Sequence, residues 1–160
     1  MPTPPNDAAT DNRVLSLTRL LAPSPQALYR CWSEPALIVQ WFTPPPWKTI
    51  HAEVDLRPGG ASCIVMRGPD GTEVHNRGVY LEVVRNQRLV FTDAYTSAWV
   101  PSAKPFFTCV LGFAPEGGMT RYTAQALHWS PEDCAAHEQM GFHTGWGIAT
   151  EQLAALAAAL

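Results

Sequence analysis

The stretch that decides the fold is residues 140–160, MGFHTGWGIATEQLAALAAAL. At about 100° per residue, Phe142, Trp146, Ala149, Leu153, Leu156 and Leu160 share one face of a helix, following one another at spacings of 4, 3, 4, 3 and 4. A helix with such a stripe must bury it against something large. Upstream, Ser130-Pro131-Glu132-Asp133 reads as its beginning, with a serine cap, proline in the first position and acids in the first turn. The pattern therefore predicts one long terminal helix. Gly141, Gly145 and Gly147 cut against it, because a glycine costs a helix interior roughly 0.5–1 kcal/mol relative to alanine. Two explanations stand. The missing side chains allow close packing, or the start of the helix stands over a hollow whose ceiling is Phe142 and Trp146.

The partner surface comes from the middle of the chain. A first strand is expected over about 13–21, RVLSLTRLL, then a helix from Ser24-Pro25 and a second short one around Leu37, Ile38, Trp41 and Phe42. TPPPWK (43–48) is a stiff loop because proline fixes its own φ. In WKTIHAEVDL, Ile50, Ala52, Val54 and Leu56 alternate with Thr49, His51, Glu53 and Asp55, which predicts a strand with the first set on a core. ASCIVMR, EVHNRGVYLEVV, RLVFTDAY, FFTCVLGF and MTRYTAQAL follow as further strands. Most are joined by short turns at Pro58-Gly59-Gly60, Pro69-Asp70-Gly71, Arg85-Asn86-Gln87 and Glu116-Gly117-Gly118; the exception is the longer loop TSAWVPSAKP. Short turns between consecutive strands favour an antiparallel meander, and so an α+β domain. Residues 1–12, rich in Pro, Ala, Asn, Asp and Thr, are expected to form a disordered tail ahead of a single domain at 13–160.

Composition narrows the function. The net charge is −3 and the eleven basic residues form no run, so no nucleic-acid stripe is visible. No apolar stretch approaches the roughly 18 residues of a membrane span, and the N-terminus lacks a charged start followed by an apolar block, so a cytoplasmic protein is expected. Cys31, Cys63, Cys109 and Cys134 form no CxxC and read as separate reduced thiols. His137 and His143 are six apart, which does not place two ligands on one helical face. There is no HExxH, GxSxG or glycine-rich phosphate loop, so no metal or cofactor is expected.

Aromatic residues carry the positive signal. Trp47, Tyr95 and Trp99 belong to loops or loop edges, where a solvated segment does not need them. Aromatics beside a half-open core suggest a pocket mouth. The candidate lining of a cavity between sheet and terminal helix is Trp41, Trp47, Met66, Tyr80, Phe91, Phe107, Phe142 and Trp146, with His143, Tyr95 or Asp93 as polar groups that orient a ligand. Arg67, Glu82 and His128 are further polar candidates for acid–base work.

The segments QWFTPPPWKT, VDLRPGGASCIVMRGPDGTEVHNRGVYLEVVRNQRLVFTDAY, TRYTAQALH and HEQMGFHTGWGIATEQLAAL resemble the SRPBCC (START/Bet v 1-like) superfamily, nearest its branch related to the C-terminal domain of the Hsp90 ATPase activator. The resemblance implies a helix-grip fold: a curved six- to seven-stranded antiparallel sheet around a long C-terminal helix, with two short helices after the first strand. It also implies an apolar cavity between sheet and helix, and a small hydrophobic or aromatic ligand as the first expected partner. A cyclase- or hydrolase-like enzyme using the same cavity is the first alternative, and a protein-binding domain the second. The eukaryotic activator carries such a domain behind a separate module, where this chain has twelve residues, so an Hsp90-type chaperone ranks last among the expected partners. An exposed edge strand would offer a route to a homodimer.

Overall fold

The computed structural model describes residues 11–160. The expected tail falls outside the described residues up to residue 10, while Asp11 already holds the Arg13 guanidinium at 3.2 Å. The chain then runs through β1 (Val14–Leu21), α1 (Pro25–Ser33), α2 (Pro35–Trp41), β2 (Lys48–Val54), β3 (Ala61–Arg67), β4 (Glu73–Val84) and β5 (Arg88–Thr92). It continues with β6 (Tyr95–Ser97), β7 (Val100–Pro101), β8 (Phe107–Glu116), β9 (Met119–His128), α3 (Pro131–Gln139) and α4 (Phe142–Ala158). Seven strands form one antiparallel sheet in the order β1-β9-β8-β5-β4-β3-β2. The first strand is thus carried across to pair with the last, and the two short helices lie between β1 and β2, as the resemblance implied.

Register decides which residues meet the helices. Leu17 pairs with Ala124, Ala124 with Leu111, Leu111 with Leu89, and Tyr80 with Phe91. Side chains alternate along a strand, so these residues share one face with Cys109, Phe113 and Tyr122. They form the main core together with Leu28, Tyr29, Trp32, Trp41, Leu153 and Ala157 from the helices. Two indoles pin the helices through their one donor each: Trp32 Nε1 donates to Tyr122 Oη at 3.2 Å and Trp41 Nε1 to the Cys31 carbonyl at 2.8 Å. Ser24 caps α1 by accepting from the Ala27 amide, and Ser130 caps α3 by accepting from Asp133.

Four local expectations change. The predicted terminal helix is two helices, because Gly141 takes φ +95° and breaks the chain between α3 and α4; a side chain is strained there and glycine is not. The predicted alternation of β2 fails at its start. A register shift between Thr49 and His51 leaves Thr49 buried and Ile50 exposed, with Ala52 inward again. The expected loop 96–105 contains the second strand of a small hairpin, β6–β7. Finally, Leu160 lies beyond α4 and is half exposed, because burial shifts along the helix from Phe142 to Thr150, Leu153 and Ala157. The four cysteines are free and buried. No helix among the described residues is long and apolar enough to cross a membrane.

Candidate functional site

The ten predicted cavity residues fall into three groups. Trp41, Tyr80 and Phe91 meet beneath α1 and α2. Trp32 stands between them, with ring centroids 4.7 Å from Trp41 and 5.9 Å from Phe91, and Phe91 is 6.2 Å from Tyr80. Phe107, Phe142 and Trp146 meet at the start of α4, where Phe142 and Trp146 are 4.6 Å apart and Phe107 is 6.0 Å from Trp146. These are offset or edge-to-face contacts, the arrangements aromatic quadrupoles favour. The other four stand apart. Trp47 lies against Gly68, whose added Cβ would come within 3.0 Å of the indole. Met66 faces Thr49 on one side and Val74 on the other. Tyr95 sits edge-on to Trp99 in the β6–β7 hairpin, and His143 is exposed on α4.

The polar groups differ in part from those expected: His128 was among the candidates and His137 was not. Asp93 closes the loop after β5, its carboxylate accepting from the amides of Phe106 and Phe107 at 2.9 and 3.2 Å. Burial raises its pKa and those amides oppose the rise. Arg67 and Glu82 are spent on exposed ion pairs with Glu73 and Arg88. Instead, two buried imidazoles meet. His128 Nε2 lies 2.8 Å from His137 Nδ1, and His128 Nδ1 lies 2.9 Å from the Arg13 carbonyl. A carbonyl only accepts, so His128 donates from Nδ1 and accepts at Nε2, and His137 donates from Nδ1. That leaves His137 Nε2 as an acceptor with no partner among the described residues. Phe106, Phe107, Phe142 and Trp146 surround the His137 ring at 5.1 to 6.0 Å. Burial first, and His128 second, hold its pKa down to about 4. Nothing in local periodicity could pair residues on β9 and α3; only the capped start of α3, directly after β9, hinted at their proximity.

The glycines of α4 do not serve close packing. A Cβ added at Gly145 would meet nothing within 4 Å, and one at Gly147 would only touch the Arg19 guanidinium at 4.0 Å. Gly145 lies on the flank of α4 that also carries Ala149 and Gln152. Gln152 Nε2 donates to the carbonyls of Trp41 and Thr43 at 2.8 and 2.9 Å, tying that flank to the end of α2. Two turns earlier the same flank borders open space. On the sheet, register puts Ile64 and Met66 on the same face as Tyr80 and Phe91, and Ile64, Met66 and Phe91 are only partly covered.

At the other end of the sheet lie two open clefts of about 480 and 590 Å³, which share Arg85 and Asn86. None of the ten predicted residues lines either one. Among the described residues no three His, Cys, Asp or Glu side chains converge as metal ligands.

The family described as activator of Hsp90 ATPase homolog 1-like protein (AHSA1) matches residues 22–158. The chain belongs to this family. Among solved structures, the AHSA1-like chain is similar to protein NE0264 from Nitrosomonas europaea, at 40% identity over 91% of this chain and 94% of the other, with a TM-score of 0.88. It is similar to protein Ms6760 from Mycobacterium smegmatis at 26% identity over 91% of each chain, with a TM-score of 0.77. The AHSA1-like protein from Aeromonas hydrophila shares the fold at 22% identity, covering 91% and 92% of the two chains, with a TM-score of 0.69. No curated protein matches. The AHSA1 assignment and the SRPBCC-type helix-grip architecture agree with the order of elements and with the seven-stranded sheet.

Proposed function

We propose that this AHSA1-like domain binds a small apolar or aromatic ligand in the groove between the first half of α4 and the concave face of β3–β5. Folds of this kind commonly bind hydrophobic ligands. The observation that carries the reading is Gly145, a helical residue whose missing side chain opens onto empty space while its own flank is anchored at Gln152. Phe91, Trp146, Phe107 and Met66 would supply the contact area, each partly uncovered in the free protein. The polar handle is His137 Nε2, a neutral acceptor in an aromatic surround, suited to a ligand hydroxyl or N–H. It replaces His143, Tyr95 and Asp93 in that role. The same acceptor is also the group a catalytic version of the site would use to take a proton.

Titration with the neutral probe N-phenyl-1-naphthylamine tests the reading. Saturable binding that quenches tryptophan emission is expected. Gly145→Leu fills the open space and should abolish binding while the melting temperature stays near that of the parent. A Gly145→Leu protein that binds the probe as well as the parent would remove the groove from the account.

A further inference from the structure

The cleft of about 480 Å³ lies between α1 and the β4–β5 turn, remote from the groove at the start of α4. Its apolar wall is Leu56 and Val83, and its polar groups include Tyr29, Arg30, Glu34 and Arg85. Tyr29 is 6% exposed, with its ring edge-on to Phe113. Tyr29 lines the cleft close enough to Arg85 to feel its charge, and its hydroxyl, not sealed from solvent, makes no hydrogen bond to a described residue. A phenolic O–H open to solvent is free to donate to a ligand.

Arg85 is the matching group. Arg13, Arg30, Arg57, Arg67, Arg88 and Arg121 each hold a carboxylate. Arg19, Arg77 and Arg85 hold none among the described residues, and of these three Arg85 alone lines the two clefts. The one acid in its cleft, Glu34, is taken by Arg30 at 2.6 Å. Asn86 turns the chain at φ +63°, a conformation asparagine tolerates better than most residues, and so holds Arg85 at the apex of the turn. The cleft therefore carries one surplus positive charge and one vacant hydroxyl donor beside an apolar wall.

We propose that this cleft is a second binding site, for a small organic carboxylate. The Arg85 guanidinium and the Tyr29 hydroxyl donate to the carboxylate, and Leu56 and Val83 receive the apolar body. The Arg30–Glu34 pair is neutral as a unit and sets one edge.

An amide-resolved NMR titration with benzoate tests the site on the full chain, with benzamide as the neutral isostere and inorganic phosphate as an anion without an apolar body. Benzoate should shift the amides around Tyr29–Glu34 and Val83–Asn86 saturably. Benzamide and phosphate should bind about tenfold more weakly or worse. Arg85→Gln should weaken benzoate about tenfold, Arg85→Lys should restore part of that loss, and Tyr29→Phe should cost roughly threefold. Arg85 is exposed and unpaired, so both of its variants should melt with the parent. The site is overturned if benzoate leaves these amides unmoved, if Arg85→Gln binds it as tightly as the parent, or if benzamide or phosphate binds equally well. N-phenyl-1-naphthylamine binding should be unchanged in Arg85→Gln, so failure here and failure of the groove are separate results.

Discussion

The two halves of α4 have the same backbone and opposite duties. From Thr150 to Ala158 the helix is clamped. Leu153 and Ala157 are fully or nearly fully buried in the main core with Leu17, Leu28 and Ala124. From Phe142 to Ala149 it carries two glycines and an indole that is only partly covered, and one glycine borders empty space. Only Phe142 is fully buried there, in a smaller cluster with Leu15, Ala126 and Cys134. One helix thus anchors the fold at its C-terminal end and leaves room at its N-terminal end. A side chain removed from the first half and one removed from the second should have unlike consequences.

Leu153→Ala gives the largest expected effect. It deletes a fully buried leucine at the anchor and should cost about 2–5 kcal/mol in denaturant unfolding. Probe binding by the fraction that stays folded should be retained. Loss of binding at full folding would mean that the halves are not independent.

Acid should loosen the other half. His137 is held neutral down to about 4 in the folded chain, against 6.5 for a free imidazole. Between those values the unfolded chain binds the extra proton. Stability is therefore complete above pH 6.5 and declines as pH falls toward 4, by roughly 1–3 kcal/mol. Hydrogen exchange should show the α3 amides and the end of β9 losing protection first, with those around Leu153 following only at global unfolding. A flat stability profile across that window would mean that the pair is solvated.

Gln152→Ala removes both hydrogen bonds that tie α4 to the end of α2. It should cost about 1 kcal/mol and weaken probe binding severalfold by slackening the wall of the groove. The smallest effect is expected at Gly145→Ala. A methyl group there meets nothing within 4 Å, so helix propensity should stabilise the protein by up to about 1 kcal/mol. Destabilisation instead would mean that the backbone needs glycine at that position.

Much of this architecture was legible in advance. The alternation in ASCIVMR and EVHNRGVYLEVV, the turn residues between them and the Ser-Pro helix starts report on neighbours within four residues, and the structure has β3 and β4 at those bounds. The aromatic residues of the groove were legible as large groups in need of cover, and Phe142 and Trp146 as partners four apart. Ile50 was misread because the extra residue at the bulge puts the start of the strand out of phase with the rest, and no composition marks it. The tie from Gln152 to Trp41 was not visible at all, since it spans 111 residues.

The sequence alone determined most of the helix and strand segments and most of their apolar faces, because those depend on the 3.6- and 2-residue periods of a local backbone. Tertiary structure alone decided that Gly141 separates two helices while Gly145 borders open space, that His137 donates to His128, and that Tyr29 and Arg85 line one cleft. Each of these is a relation between elements, set by how a curved sheet and its helices settle together rather than by the chain on either side of the residue.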